Sequence, residues 1–338
     1  MKWSFAQVWN KSLEREEEGE IRPRQKIWAS ELDKAYVDRW LKMKGVLPTN
    51  LPNARSRRKF EAGNMLEWIV KMVLKRAGIL QSNQKWTEYQ YEGLLPVSGK
   101  LDFVAGGQPD WEKTLQEIEL LGLPEFFNQA THQIIKHLKG LNRELERIII
   151  EVKSCSTYMY DRYESFGLES TKGHVMQTFH YLKAENMPEA HLVYICKDDL
   201  RMLEFSIMNP SQYENWYKQD IEEMTEYYNS DVLPPLEPEI IFNEDTGRFS
   251  TNWKVEYSTY LTKLYNYKEP TDYRERWNKT IAQWNRTLRR CVEDKKMTDL
   301  NLQTIKEIEM MFPDFDEFVE KAKKVGITEK EEQYDAME

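Results

Sequence analysis

Cysteine is scarce in this chain of 338 residues, which has only three: Cys155, Cys196 and Cys291. They lie far apart in sequence and form neither a C-x-x-C metal motif nor the evenly spaced framework of a disulfide-rich domain. We therefore expect a protein of a reducing compartment, and the cytoplasm is the simplest such location.

Long apolar runs are missing as well. No stretch approaches the ~20 apolar residues that a membrane-spanning helix needs. The N-terminal residues lack an apolar signal core, and the sequence turns acidic between Glu14 and Glu20. We therefore expect neither a membrane partner nor a secretory signal.

An excess of positive charge is also absent, since the formal net charge is −9. This balance argues against a protein coated with basic residues for nucleic-acid binding. It does not exclude a nuclease, because a carboxylate cluster adds negative charge and DNA contact needs only a local basic strip. The hydrophobic fraction of 40% is enough for a core and gives no signature of disorder.

Apolar periodicity alternates between the helical and the strand pattern along the chain. Helices are predicted at 30–44, 56–77, 173–186 and 272–294. Strands are predicted within 86–105 and at 148–153, 190–196 and 201–207. This order predicts an α/β fold in which a mixed central sheet is flanked by helices.

Three regions follow from this pattern. Residues 1–54 are predicted to be an N-terminal helical region, and residues 55–208 the core, with a helical insertion at 108–146. Residues 209–338 are predicted to form a mainly helical C-terminal region, interrupted by prolines, that packs on the core.

Two acids and a lysine stand where apolar strands end. Asp102 follows one strand, and Glu151 and Lys153 directly follow the apolar run 148–150. Residues i and i+2 of a strand point to the same face, so Glu151 and Lys153 face one way and Val152 faces the core. Because unpaired charges are costly to bury, this placement suggests function. Two carboxylates, and the Val152 carbonyl, are oxygen ligands suited to Mg²⁺.

The alternative for Glu151 and Lys153 is a strand-end ion pair, which would be the default if they stood alone. The E-x-K pattern is weak by itself, and the G-x-x-D pattern of Gly99 and Asp102 is weaker still. Hydrolysis of a phosphodiester, however, needs an activated water and compensation of negative charge, which a metal ion beside a lysine can supply.

Two further patterns flank these residues. Gly63 precedes Glu67 by four residues, and Gln177 precedes Tyr181 by four, one helical turn. With these patterns in this order, the chain resembles the PD-(D/E)XK nuclease superfamily, and in particular its RecB-like and lambda-exonuclease-like branch. The resemblance covers about residues 60–210 and implies a restriction-endonuclease-like fold.

The resemblance implies a role for each residue. Asp102 and Glu151 would ligate Mg²⁺ or Mn²⁺, and Glu67 would be an additional acidic ligand, direct or through water. Lys153 would be the catalytic lysine, and the Gln177 and Tyr181 side chains would position the DNA or that lysine. Basic residues near these motifs are candidate DNA contacts: Arg55, Arg57, Arg58, Lys172 and His174. The alternatives are a solubilising helix end for the arginines and an exposed polar residue for His174.

A decoy for the first acid and a departure from the family pattern both matter. Pro109–Asp110 is a literal Pro-Asp upstream of Glu151, but it follows two glycines and begins a predicted helix, where Asp is a good N-cap. We therefore favour Asp102. Some relatives carry an iron–sulfur cluster, but the corresponding segments 35–39 and 253–258 contain no cysteine. We expect no such cluster here.

The sequence therefore predicts a metal-dependent DNA nuclease, with an exonuclease preferred over an endonuclease. Its DNA would be a single strand or a duplex end, in recombination, repair, phage replication or defence. A second copy of the chain or a recombination or replication protein is a further candidate partner. The alternative function is a non-catalytic DNA-binding or assembly subunit that retains the fold.

Overall fold

The computed structural model describes residues 4–13, 22–107, 145–209, 212–244 and 246–325, with a few more between 115 and 133. It has a mixed central sheet flanked by helices and a mainly helical C-terminal part, as predicted. The chain divides into two compact units. The first comprises Met1–Leu47 and Pro52–Pro234, and the second comprises Pro48–Leu51 and Pro235–Glu338.

The first unit contains the sheet. Its strands are β1 (Ile27–Trp28), β2 (Leu80–Tyr89), β3 (Val97–Gly107), β4 (Leu145–Cys155), β5 (Glu189–Cys196) and β6 (Met202–Met208). Its α-helices are α1 (Phe5–Ser12), α2 (Tyr36–Met43), α3 (Ala54–Arg76), α4 (Thr157–Phe166), α5 (Lys172–Glu185) and α6 (Glu214–Ser230). The helices predicted at 56–77 and 173–186 correspond to α3 and α5.

The sheet is mixed because its central strands pair in both senses. Strand β3 runs antiparallel to β2 and to β4, whereas β4 runs parallel to β5, and β6 closes the sheet antiparallel to β5. The pairing of β3 with β4 extends from the Gly107–Leu145 end to Phe103 and Ile150. At its other end β3 pairs with β1 through Val97. Strands β3 and β4 therefore separate at residues 102 and 151, and a fork opens there.

Helices cover both faces of this sheet. Helix α5 buries Val175 and Phe179 in the larger core cluster, which also holds Leu101. On the opposite face, α3 buries Leu66 against Phe103 in a second cluster. Each fully buried side chain of this size contributes about 1.5–3 kcal/mol through removal from water. The two helices that carry motif residues are thus fixed to the strands that carry the acids.

The helix predicted at 30–44 is wrong in its first half. Ala29–Glu31 form a 3₁₀ turn, Asp33 has a left-handed backbone with φ of 64°, and helix α2 begins only at Tyr36. The reason is a tertiary contact, because the Asp33 amide donates to the buried carboxylate of Asp220 at 3.3 Å. The N-terminal region is also not purely helical, since β1 joins the sheet.

The division between units lies later than the predicted boundary at 208/209. Helix α6 belongs to the first unit, because Tyr217, Ile221 and Met224 are buried in the larger core cluster. The predicted insertion 108–146 lies mostly outside the described residues, and strand β4 begins at Leu145.

The second unit begins with a hairpin that the sequence did not predict, β7 (Ile240–Asn243) with β8 (Arg248–Thr251). Its helices are α7 (Trp253–Glu256), α8 (Leu261–Tyr265), α9 (Pro270–Val292), α10 (Asp299–Met311) and α11 (Phe315–Val325). Phe249 of the hairpin packs with Trp284 and Leu288 of α9 in the core of this unit. The amphipathic helix predicted at 272–294 is α9.

Candidate functional site

Asp102 lies in the fork between β3 and β4. Its Oδ2 accepts a hydrogen bond of 2.8 Å from the Val152 amide, which belongs to the part of β4 that has separated from β3. The carboxylate therefore accepts from a backbone N–H that would otherwise lack a partner, because the pairing of β3 with β4 has ended there. Asp102 is only 9% exposed, so the fork holds a carboxylate away from bulk water.

Glu151 faces the same fork and is 1% exposed. Its Oε1 accepts from Lys153 Nζ at 2.6 Å and from Gln177 Nε2 at 2.9 Å. Its other oxygen, Oε2, is buried and has no hydrogen-bond partner. Buried acceptors without partners are rare because each forfeits its hydration. Half of this carboxylate is therefore available to an external ligand.

Electrostatics couple the three charged groups. Burial, followed by the charge of Glu151, raises the pKa of Asp102 well above its usual range. Burial alone would lower the pKa of Lys153, but the charges of Glu151 and Asp102 outweigh it and raise that pKa. Lys153 therefore stays protonated at neutral pH. Its single positive charge cannot offset the negative charges of two buried carboxylates.

Helix α5 supports the site from one side. Gln177 Nε2 also donates to the Tyr181 hydroxyl at 3.0 Å, and that hydroxyl donates to the Lys100 carbonyl at 3.1 Å. Tyr181 reaches β3 because Gly99 has no side chain: a Cβ there would lie 2.8 Å from Tyr181 Cε1. The glycine of the G-x-x-D pattern and the tyrosine of the Q-x-x-x-Y pattern thus meet by close contact.

Glu67 of α3 reaches the site through a residue that sequence reasoning missed. Gln84 Nε2 donates to Glu67 Oε1 and also lies 3.4 Å from Asp102 Oδ1. Burial and the charge of Asp102 raise the pKa of Glu67. No sequence pattern marked Gln84, because its role depends on the pairing of β2 with the strand that carries Asp102.

The predicted metal and catalytic residues therefore converge on one place. These are Glu67, Asp102, Glu151, Val152, Lys153, Gln177 and Tyr181. The Val152 side chain packs in the core beside Leu66, as predicted, and its amide binds Asp102. The role of its carbonyl as a metal ligand stays a prediction.

The arginines predicted to contact DNA are partly engaged within the protein. Arg57 donates to the Pro52 carbonyl at 3.0 Å, and Arg58 donates to Asn10 of α1. Arg55 is exposed at the start of α3. At least part of this basic cluster therefore holds the N-terminal helix, and its contact with DNA stays a prediction.

Lys172 and His174 differ in environment. Lys172 Nζ lies over the Trp216 ring, 5.6 Å from its centroid. The His174 Nδ1 is 2.9 Å from the Tyr194 hydroxyl, and burial together with the charge of Lys153 lowers the pKa of His174 to about 3. His174 is therefore neutral at pH 7, so a phosphate contact there would be a hydrogen bond and not an ion pair.

The donor set at the fork suits a hard divalent cation. Asp102 and Glu151 present carboxylate oxygens, and the partnerless Glu151 Oε2 is a buried acceptor of the kind that such a cation satisfies. Within the described residues, no three Asp, Glu, His or Cys side chains form a ready-made metal cage. A cation here would therefore be held by two acids, with backbone or water completing its shell, as is common for Mg²⁺.

Comparison with known proteins adds little. No protein-family model and no curated protein matches the chain. A solved structure titled "Crystal structure of SSO0001" is similar at 14% sequence identity with a TM-score of 0.42, over 78% of this chain and 97% of that one. A likeness this distant carries no argument about function. Among the described helices, none combines the length and the apolar character needed to cross a membrane.

Proposed function

We propose that this protein is a divalent-metal-dependent DNA nuclease of the PD-(D/E)XK type, with its active site in the fork between β3 and β4. One observation carries the proposal. Glu151 is buried with one oxygen held by Lys153 and Gln177, while its other oxygen has no partner and its charge acts on the buried Asp102. Such a pair of acids is stabilised by a bound cation.

In this proposal Asp102 and Glu151 hold Mg²⁺ or Mn²⁺, with Glu67 reached through Gln84 as an outer acid. The ion would lower the pKa of a bound water and offset charge on the phosphate. Lys153, kept protonated by the two acids, would stabilise negative charge that develops on the phosphate. Gln177 holds Glu151 Oε1 and so leaves Oε2 as the oxygen that would bind the ion.

The simplest competing explanation is a structural ion pair between Glu151 and Lys153. A structural pair requires one acid for one lysine, and burying it brings little net stability. Here a second buried acid adds repulsion, and a carboxylate oxygen is left without a partner. Both features cost stability, which favours a site kept for binding over a site kept for folding.

Two finer points belong to the same proposal. The order α3, β2, β3, β4, α4, α5, β5 supports a restriction-endonuclease-like core. We favour an exonuclease, because the resemblance is to the RecB-like and lambda-exonuclease-like branch. A non-catalytic DNA-binding subunit remains the alternative, and it differs in one respect only: it would bind DNA without cutting it.

Cleavage assays test the proposal directly. End-labelled linear DNA and circular DNA, each as single strand and duplex, are incubated with the protein in Mg²⁺, Mn²⁺ or a chelator. We expect metal-dependent cleavage of linear DNA, abolished by the chelator. Asp102→Asn and Lys153→Ala should each reduce the rate by at least about 100-fold, since each removes charge used at the transition state.

Asp110→Asn is the matched control, because Asp110 is the alternative acid of the Pro-Asp pattern and the proposal uses Asp102 in its place. Asp110 lies outside the described residues. The variant should cut like the wild-type protein. Equal cleavage by wild type and Lys153→Ala would overturn the assignment. DNA binding without cleavage in any metal would favour the non-catalytic alternative.

A further inference from the structure

Two tryptophans, one exposed and one half-buried, form an aromatic surface beside the fork. Trp28 of β1 and Trp86 of β2 lie with their ring centroids 5.5 Å apart, inclined at 45°. Trp86 is 61% exposed, so most of its surface faces solvent. A tryptophan on a strand is normally used to fill a core. An exposed one that packs at an angle against a second one instead offers a large flat face to a ligand.

Basic side chains surround this aromatic pair. The Arg24 guanidinium lies 5.0 Å from the Trp28 ring centroid, and Lys26 Nζ lies 5.7 Å from it. Lys100, which is exposed, is the register partner of Trp86 on β3. Two acids are also present, since Glu88 pairs with Lys26 at 3.2 Å and Glu31 pairs with Arg24. The local charge is therefore positive in a chain whose net charge is −9.

The aromatic pair lies close to the proposed catalytic acids. Trp86 and its partner Lys100 are each two residues from a residue of the site, Gln84 on β2 and Asp102 on β3. Two residues of strand span about 7 Å. A chain of nucleotides with one phosphate in the fork can therefore bring a neighbouring base over Trp86 and a neighbouring phosphate to Lys100.

We propose that Trp28 and Trp86 form a stacking subsite for an unpaired base of single-stranded DNA. The inference rests on the proposed nuclease function and names its substrate class. A base can stack on a protein side chain only when its face is free, and the bases of a duplex interior already stack on each other. The subsite therefore selects single strands or frayed ends, while the exposed Lys100 binds a neighbouring phosphate without regard to sequence.

Binding of a fluorescein-labelled oligodeoxythymidine, measured by fluorescence anisotropy with a chelator present to prevent cleavage, tests the subsite. Trp86→Ala should weaken binding roughly 5- to 100-fold, the range for loss of one base–aromatic stack. Trp86→Phe keeps an aromatic face and should stay close to wild type. Trp253→Ala is the matched control, because Trp253 is also exposed, at 44%, but belongs to the second unit. It should bind like wild type.

A second arm replaces single bases of the oligonucleotide with abasic sites. If Trp86 stacks on a base, the abasic site that removes that base should weaken binding by wild type and have little further effect on Trp86→Ala. Equal losses in the two proteins at every position would overturn the subsite. So would unchanged binding by Trp86→Ala, an outcome that would favour a protein contact at this surface.

Failure of the subsite and failure of the nuclease proposal are separable. Wild-type protein that cuts DNA but shows no effect of Trp86→Ala keeps the active site and loses the subsite. Wild-type protein that binds no DNA of any form, with or without metal, contradicts both.

Discussion

Gln84 lies across from Asp102 on the neighbouring strand, and its backbone has a φ of 52° there, in the left-handed region. Its side-chain amide lies 3.4 Å from Asp102 Oδ1 and donates to Glu67 as well. A left-handed conformation costs a residue with a side chain roughly 1–2 kcal/mol. Strain of this kind persists where the surroundings over-determine it, often at functional sites. We interpret the Gln84 amide as a bridge between two acids that would otherwise repel each other.

The left-handed backbone of Gln84 predicts which of two variants at this position has the higher free energy of unfolding. Gln84→Gly and Gln84→Ala both delete the amide bridge, but only glycine adopts positive φ without cost. We therefore expect Gln84→Gly to have a free energy of unfolding about 1 kcal/mol higher than Gln84→Ala. Urea unfolding followed by circular dichroism measures the difference.

Position 83 provides the control for this pair. Asn83 is the register partner of Phe103, in regular pairing, so alanine there should be more stable than glycine. If alanine were also the more stable residue at position 84, the left-handed conformation would be contradicted.

The close contact between Gly99 and Tyr181 predicts a sensitive position. An alanine Cβ at position 99 would lie 2.7 Å from Ala29 Cβ and 2.8 Å from Tyr181 Cε1, so one of these groups must move. We expect Gly99→Ala to lower the free energy of unfolding by about 1–3 kcal/mol, as overpacking does. It should also displace Tyr181 and the Gln177 amide bound to it, and so impair the site. Thermal unfolding and the cleavage rate are the measurements.

Gly63→Ala is the comparison for Gly99→Ala. Its Cβ would meet only the Ser154 hydroxyl at 3.1 Å, and position 63 is in helix α3, where alanine is favoured over glycine. We expect a change within about 0.5 kcal/mol. Equal destabilisation by the two substitutions would argue against the specific contact at Gly99.

Sequence patterns predicted which residues converge at the fork better than they predicted the surroundings of those residues. Long amphipathic helices and apolar strands, such as α3 and β4, have strong periodicity, and their charged residues stand out against it. Gln84 carried no such signal, because its role depends on the pairing of β2 with β3 and on an unusual backbone angle. The prediction of a helix at 30–44 was wrong in its first half because of another contact between distant residues. There the Asp33 amide donates to the carboxylate of Asp220, far away in sequence.

Contacts between distant residues are likewise invisible in a single sequence. Cys155 and Cys196 lie far apart in the chain, yet the parallel pairing of β4 with β5 makes them register partners, both free and buried. The short hairpin β7–β8 also escaped prediction, because its four-residue strands are too short for a clear period. The exposure of Trp86 could not be predicted from the sequence, because a tryptophan in a strand pattern usually indicates a core position.

His180 predicts a loss of stability in acid. It is fully buried, with Nδ1 2.9 Å from the Tyr217 hydroxyl and Nε2 3.3 Å from Thr87 Oγ1. Burial lowers the pKa of His180 to about 3, whereas the unfolded chain protonates it near pH 6.5. Between these values the unfolded state binds the extra proton. Stability therefore falls as the pH falls from about 6.5 towards 3, by about 1.4 kcal/mol per pH unit.

His180→Gln isolates this contribution. Carboxylates titrate similarly in both proteins, so they cancel in the difference between wild type and variant. We expect wild type to be the more stable protein at pH 7 and its advantage to shrink steadily between about pH 6 and pH 4. Denaturant unfolding at several pH values measures this, and an advantage independent of pH would show that His180 is not buried in the neutral form.

The buried carboxyl of Asp102 is expected to lower the stability of the metal-free protein, although the proposed metal site needs it. Because its pKa is raised, the folded state holds a proton that the unfolded chain releases above about pH 4, so Asp102 lowers stability increasingly as the pH rises towards neutrality. Asp102→Asn removes that cost, and its amide oxygen can still accept from the Val152 amide. We expect metal-free Asp102→Asn to be more stable than metal-free wild type at pH 7.5, by on the order of 1–3 kcal/mol.

With bound metal, we expect wild type to become more stable than Asp102→Asn. A ligand that binds only the folded state at 100 times its Kd adds about 2.7 kcal/mol to stability. Thermal unfolding at increasing Mn²⁺ or Mg²⁺ should therefore raise the Tm of wild type and leave Asp102→Asn unchanged, because the variant lacks one of the two acids. Asp110→Asn should respond like wild type. A metal-induced rise of equal size in Asp102→Asn would place the cation elsewhere, and no rise in wild type at millimolar metal would contradict a metal site in the fork.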